Sequence, residues 1–254
     1  MRTRAVALAA FSCHNKNKVL HPWLPGKSKR GDIDKLVDSA QSVNISKFAF
    51  LRHGNTAPSQ NGIDFDRILT DPLGKEQARE AGESFWAQKL LPIHRHVLVS
   101  PAPRTVETAQ LFLEAAGVEC ELCLCQSLYD GTMQPKGSAL FRQLGYAPLK
   151  KYLNHEDEEF RSDARAVLGA YAHSFIDSAM DLIEKDGGTS TGQSTTMLMV
   201  GHAIYLPSAA LGLASLVPDC KGIDLILSCN TKEAEGYLID IKEKQVTLLE
   251  RPSN

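Results

Sequence analysis

Residues 47–55 read KFAFLRHGN, an apolar run that stops at a guanidinium, an imidazole, a glycine and an amide. Residues 48–51 offer no polar alternate position, so a strand built from them must be covered on both faces. That requirement leaves few architectures. A strand buried on both sides belongs inside an open α/β sheet, and such sheets bind ligands beyond the carboxyl ends of their strands. Arg52 and His53 stand at that end, and Gly54 lets the chain turn sharply and a ligand approach the backbone. Taken alone, the tripeptide serves equally well as the opening of a solvated loop.

Three later stretches repeat the pattern. The apolar residues 96–99 run into SPAPRTVETA at 100–109, which puts Arg104 near the start of a helix with Pro103 in its first turn. LTDPLG at 69–74 leads into a helix expected over 74–90, with Ala78, Ala81 and Phe85 at helical spacing. The run 197–200 ends in VGHA, placing His202 at a strand-to-helix junction ahead of a helix toward Leu216, kinked or delayed by Pro207. Residues 119–125 read as a third strand, and 129–155 as an irregular excursion with short helices. A long helix then carries Ala164, Leu168, Tyr171, Phe175, Ala179 and Leu182 on one side. Residues 237–241 and 246–249 form a terminal hairpin. The alternation predicts a three-layer α/β/α sandwich with a mostly parallel central sheet.

The residues at these strand ends suit phosphoryl transfer. That chemistry needs a neutral nucleophile in line with phosphorus, positive charge around the equatorial oxygens, and an acid for the leaving oxygen. His53 is the best nucleophile, since imidazole is largely neutral near pH 7. Arg52 and Arg104 present planar donor forks to phosphate oxygens. His202 adds a donor where a helix dipole favours an anion, and Asn55 a neutral donor at the rim.

In this order the segments RHGN, LTDPLG, SPAPRTVETA and VGHA resemble the histidine phosphatase superfamily, in the branch that includes the cofactor-dependent phosphoglycerate mutases. The resemblance runs from about residue 48 to residue 203 and more weakly beyond. It implies a phosphoglycerate mutase-like fold and gives His53 the nucleophile's role, with Arg52, Arg104 and His202 in the phosphate pocket. It also implies a carboxylate after the third strand, where SLYDG at 127–131 offers Asp130 as the acid. Asp130 serves equally as a turn residue before Gly131. Asp64, Asp66 and Glu107 are the runners-up, with Glu107 expected rather to orient Arg104 from one helical turn away. DFDRILT at 64–70 is closer to the small phosphohistidine phosphatases than to the mutases, and the lid sequences of a glycolytic mutase are not visible.

Charge divides the chain. Seven of its 28 Lys and Arg lie in residues 1–31, which hold no acid, and the other 21 accompany all 30 acidic residues. An acidic body argues against nucleic acid as a partner. No run approaches the roughly 18 apolar residues of a membrane span. Residues 1–45 read as a basic leader, either a transit-type segment or a disordered extension, ahead of a catalytic domain over 46–254. The expected place is intracellular: cytoplasmic, or mitochondrial or plastid if the leader is a transit peptide. The Cys120 to Cys125 segment contains CxxC, but no second close Cys/His pair completes a zinc site, so buried, reduced thiols are expected.

Three functions remain open. One is a phosphatase that passes phosphate from a phosphorylated small molecule or phosphoprotein to His53 and then to water. Another is a mutase that returns it to a sugar acid. The third is a catalytically silent module that binds a phospho-ligand. No cofactor or metal is required, because the pocket is already cationic.

Overall fold

The computed structural model describes residues 35–129, 134–185 and 193–251. The sheet has six strands: β1 (Ile45–Arg52), β2 (His96–Val99), β3 (Glu121–Leu124), β4 (Thr195–Gly201), β5 (Gly236–Asp240) and β6 (Gln245–Leu249). Their order is β3-β2-β4-β1-β5-β6. The first four in that order are parallel, and β5 and β6 add an antiparallel hairpin on the other side of β1. The expected α/β/α architecture is therefore present, with β1 inside the sheet.

The apolar run in β1 covers both faces by simple alternation. Phe48 and Phe50 turn toward α7 (Glu158–Lys185), where their rings lie 6.4 and 5.0 Å from that of Phe175. Ala49 and Leu51 join the opposite core with Phe112 and Leu113 of α4 (Pro103–Ala116). Two separate cores, one on each face, make the three layers. Burying each large side chain is worth about 1.5–3 kcal/mol, so a polar residue in this run would be costly.

Several elements depart from expectation. The helix expected over 74–90 is two, α2 (Leu73–Glu83) and α3 (Phe85–Leu90), because Ser84 leaves helical geometry and its Oγ accepts from the Ala87 N–H. This is an N-cap exchange that starts a new helix. Pro207 neither kinks nor delays α8 (Tyr205–Leu216); it sits in the first turn, where its missing N–H leaves no bond unmade. The excursion contains α5 (Gln134–Leu144) and α6 (Leu149–Leu153). Helix α9 (Ile223–Ser228) was not foreseen. Cys120, Cys123 and Cys125, outside any disulfide, are half-buried because β3 is an edge strand rather than an inner one.

The boundary at residue 45 also shifts. Lys35–Ser42 form a helix, α1, whose Leu36 and Ala40 are fully buried in the core shared with α7. The packed body thus reaches back to Lys35, and the leader reading of residues 1–34 lies outside the described residues. Among the described residues no helix is long and apolar enough to cross a membrane.

Candidate active site

Strand register assembles the site. Leu51 pairs with Val200 and Arg52 with Gly201, so the next residues of β1 and β4 are His53 and His202. The His53 N–H donates to Gly201 O at 3.1 Å, and the two imidazole centroids lie 5.4 Å apart. On the other side of β4, Val99 pairs with Val200, and Ser100 follows. Its Oγ stands 2.8 Å from His202 Nε2. Three adjacent parallel strands thus deliver Arg52, His53, Ser100 and His202 to one carboxyl-end crevice, where open α/β sheets take ligands.

The turn after β1 needs two glycines back to back. A Cβ at Gly54 would stand 2.5 Å from Gly74 O, and one at Gly74 would run into Asn55 O. The N–H of Gly54 donates to Thr108 Oγ1 of α4, and that of Asn55 to Gln77 Oε1 of α2. The backbone that follows His53 is therefore clamped to two helices. Asn55 belongs to this clamp: its Oδ1 accepts from Thr70 Oγ1 at 3.0 Å, and Thr56, one residue on, is the one that lines the cavity.

His53 Nδ1 lies 2.8 Å from Gly54 O. A carbonyl can only accept, so Nδ1 carries the proton and the lone pair falls on Nε2. Burial pushes the His53 pKa down to about 3; the bond to Gly54 O opposes this, and Arg104, Arg52 and Arg67 add to the depression. Burial and the same cationic surroundings hold His202 well below its ordinary value. Both rings are neutral. If Ser100 donates to His202 Nε2, then Nδ1 carries a proton, and that buried Nδ1 has no partner among the described residues. Arg52 Nε is likewise buried and unpartnered. Each such donor costs roughly 1–3 kcal/mol while unmet, and phosphate oxygens would meet both.

The two arginines are held differently. Arg52 Nη1 donates to Thr231 O at 2.8 Å and Nη2 to Glu233 Oε1 at 2.9 Å, from the turn that enters β5. Arg104 Nη1 and Nη2 donate to Asp64 O at 2.5 Å and Asp64 Oδ2 at 2.7 Å. Tyr129 donates to the same Oδ2 at 3.0 Å. Burial alone would raise the Asp64 pKa, but Arg104, Tyr129 and Arg67 outweigh it and keep the carboxylate ionised.

A cavity of about 250 Å³ joins Arg52, His53, Arg104 and His202. Of the acid candidates, Asp64 lines it as the counter-ion of Arg104, whereas Asp66 accepts from Asn61 Nδ2 at 2.6 Å. Glu107 does not orient Arg104; it pairs with Lys75 at 3.5 Å, and Asp64 does the orienting. Asp130 lies outside the described residues. The sequence reading missed Arg67, Tyr129, Arg142 and Tyr146, which also line the cavity. Arg67 sits in the DFDRILT segment and Tyr129 in SLYDG, stretches singled out for other residues, while nothing marked Arg142 or Tyr146. Among the described residues, the group whose donor atoms are spaced to hold a metal ion is His96, Glu121 and Cys123. It lies at the other end of β2, away from the cavity.

Residues 48–125 match the family model described as the histidine phosphatase superfamily (branch 1). This segment belongs to the histidine phosphatase superfamily. It carries RHGN, LTDPLG and SPAPRTVETA, and hence the nucleophile candidate and both pocket arginines. Among solved structures, a phosphoserine phosphatase of Entamoeba histolytica is 18% identical, with 82% of this chain and 97% of that one covered at a TM-score of 0.49. A phosphoglycerate mutase of Bacillus anthracis is 16% identical, covering 82% and 93% at 0.46. The protein histidine phosphatase SixA is 17% identical, covering 80% and 93% at 0.44. A search of curated proteins found no match.

Proposed function

We propose that this histidine phosphatase superfamily chain hydrolyses a phosphomonoester through a covalent phosphohistidine on His53. The observation that carries the reading is the bond from His53 Nδ1 to Gly54 O, which leaves the lone pair on Nε2 in a ring kept neutral beside buried arginines. A nitrogen nucleophile needs that tautomer, and a phosphoryl group needs those cations.

In the first step Nε2 attacks phosphorus; the P–N bond forms as the P–O bond breaks, and the leaving oxygen takes a proton. In the second, water attacks phosphorus and gives a proton back to the group that protonated the leaving oxygen, the P–N bond breaks, and Nε2 recovers its lone pair while Nδ1 keeps its proton. Arg52 and Arg104 neutralise the equatorial oxygens, and His202 donates through Nδ1. Asp64 then leaves Arg104 to the phosphate, since one guanidinium fork serves one anion at a time. Asp130 remains our proposed acid for the leaving oxygen, with Asp64 the alternative if it gains a proton on release. Asp64 as held here is an ionised acceptor and supplies no proton.

The test is release of inorganic phosphate from p-nitrophenyl phosphate and a panel of phosphorylated metabolites, with His53→Ala as control. Hydrolysis that depends on His53 supports the reading. Transfer of phosphate between sugar acids without release to water would make the enzyme a mutase. Binding of phosphate with no turnover would make it a silent module.

A further inference from the structure

Beyond the phosphate cradle the cavity wall is aromatic, and that feature belongs to no part of the reaction described so far. Tyr129, Phe141, Tyr146 and Tyr205 all line it. Two of them stack on the cations that would hold the phosphate. The Arg52 guanidinium lies 4.6 Å over the Tyr146 ring, and that of Arg104 5.8 Å from the Tyr129 ring. The rings also support one another. Phe141 meets Tyr146 edge-on at 5.0 Å, and Tyr129 meets Phe65 at 5.0 Å and the His202 ring at 5.3 Å.

Tyr205 is fixed from above, because Gly137 of α5 has no side chain to collide with its hydroxyl. The wall is thus a set of braced faces and edges. Tyr146 keeps 56% of its surface exposed, so a ring face remains for a ligand to cover.

The polar groups of the same wall are set among these rings. A sugar or polyol must place each hydroxyl against a partner, because buried hydroxyls left unmet are costly. Among the lining residues, Thr56 and Ser138 offer aliphatic hydroxyls, and Tyr129, Tyr146 and Tyr205 phenolic ones at the far ends of their rings. Arg67 and Arg142 add further cations, while the carboxylate of Asp64 is engaged by Arg104 and Tyr129 until a phosphate takes Arg104. A flat ring needs none of these partners and gains from face and edge contacts with aromatic neighbours. The volume, about 250 Å³, is below the roughly 300–1,000 Å³ of pockets for drug-sized ligands, which suits one ring beside one phosphate.

We infer that the substrate is a small phosphomonoester whose alcohol carries an aromatic ring next to the phosphoester oxygen. This inference rests on the phosphatase reading of the same site.

The test compares benzyl phosphate with cyclohexylmethyl phosphate, whose leaving alkoxides are of similar basicity and size, so that only ring flatness differs. The wild-type enzyme should prefer benzyl phosphate roughly tenfold in kcat/KM, mostly through KM, as expected for two or more aromatic contacts. Phe141→Leu and Tyr146→Leu should each shrink that ratio, whatever they do to the absolute rates. A wild-type ratio near one, with both esters hydrolysed, overturns the inference and leaves the phosphatase standing. Glycerol phosphate or a phosphohistidine-bearing protein hydrolysed with higher kcat/KM than benzyl phosphate also overturns it. Failure to hydrolyse these esters and p-nitrophenyl phosphate alike removes the phosphatase reading itself.

Discussion

Lowering the pH from 7 to 5 should cost the folded protein about 2 kcal/mol through His53 alone. The ring titrates at 6.5 when unfolded and near 3 when folded. Above 6.5 neither state is protonated and the group contributes nothing. Between 6.5 and 3 the unfolded chain takes up a proton that the folded chain refuses, so stability falls as the pH falls. Each pH unit well inside that window costs about 1.4 kcal/mol, and pH 5 lies one and a half units into it. His202 and His173, both also lowered, add losses of the same sign in the wild type.

Asp64 acts elsewhere. Its carboxyl is held below 3.8, so its contribution is present above that value and is lost only as the pH drops through it. The assay is urea unfolding of wild type and His53→Gln at pH 7 and pH 5. Wild type should lose about 2 kcal/mol more than the variant across that interval. Equal losses would mean that His53 is not buried as a neutral ring, and the nucleophile's tautomer would lose its basis.

Arg104→Ala should lower kcat/KM by about 10²–10³, while Arg79→Ala, an exposed change on α2, should leave it near wild type; similar values would make Arg104 a bystander. Gly54→Ala should cost at least about 1–3 kcal/mol of stability in a urea titration, because its Cβ must push back the Gly74 carbonyl at the start of α2. Leu36→Ala should destabilise by about 2–5 kcal/mol on the same measurement; a loss under about 0.5 kcal/mol would show that α1 does not pack on the body.

Much of the site was legible because its residues stand at strand ends. An apolar run with no polar interruption announces a buried strand, and whatever follows it must emerge together with the ends of its parallel neighbours. His53, Arg104 and His202 were found this way, and register alone brings the two imidazoles together. The partners of the arginines carried no such mark. Asp64 reaches Arg104 across 40 positions because the segment after β1 folds back, with a bridge between Thr56 and Leu69. Glu233 and Thr231 reach Arg52 from a turn that has no local signature of function.

Glu107 was misread for a related reason. Helical spacing puts it beside Arg104, but Lys75 of α2 competes for it across the helix pair. The aromatic wall was invisible, since its rings come from separate places in the chain, Tyr129 after β3, Phe141 on α5, Tyr146 beyond it and Tyr205 on α8, and no local pattern links them. Helix α1 escaped notice because eight residues with two fully buried side chains make a weak periodic signal.

The central claim is that His53 carries the phosphoryl group between substrate and water. Wild-type enzyme mixed with substrate, quenched rapidly in base to spare the acid-labile P–N bond, and measured by intact mass should show one added phosphoryl group. Peptide mapping should place it on His53, and His53→Ala should show none. An adduct of equal yield in His53→Ala, or turnover in wild type with the label on another residue, would contradict the account.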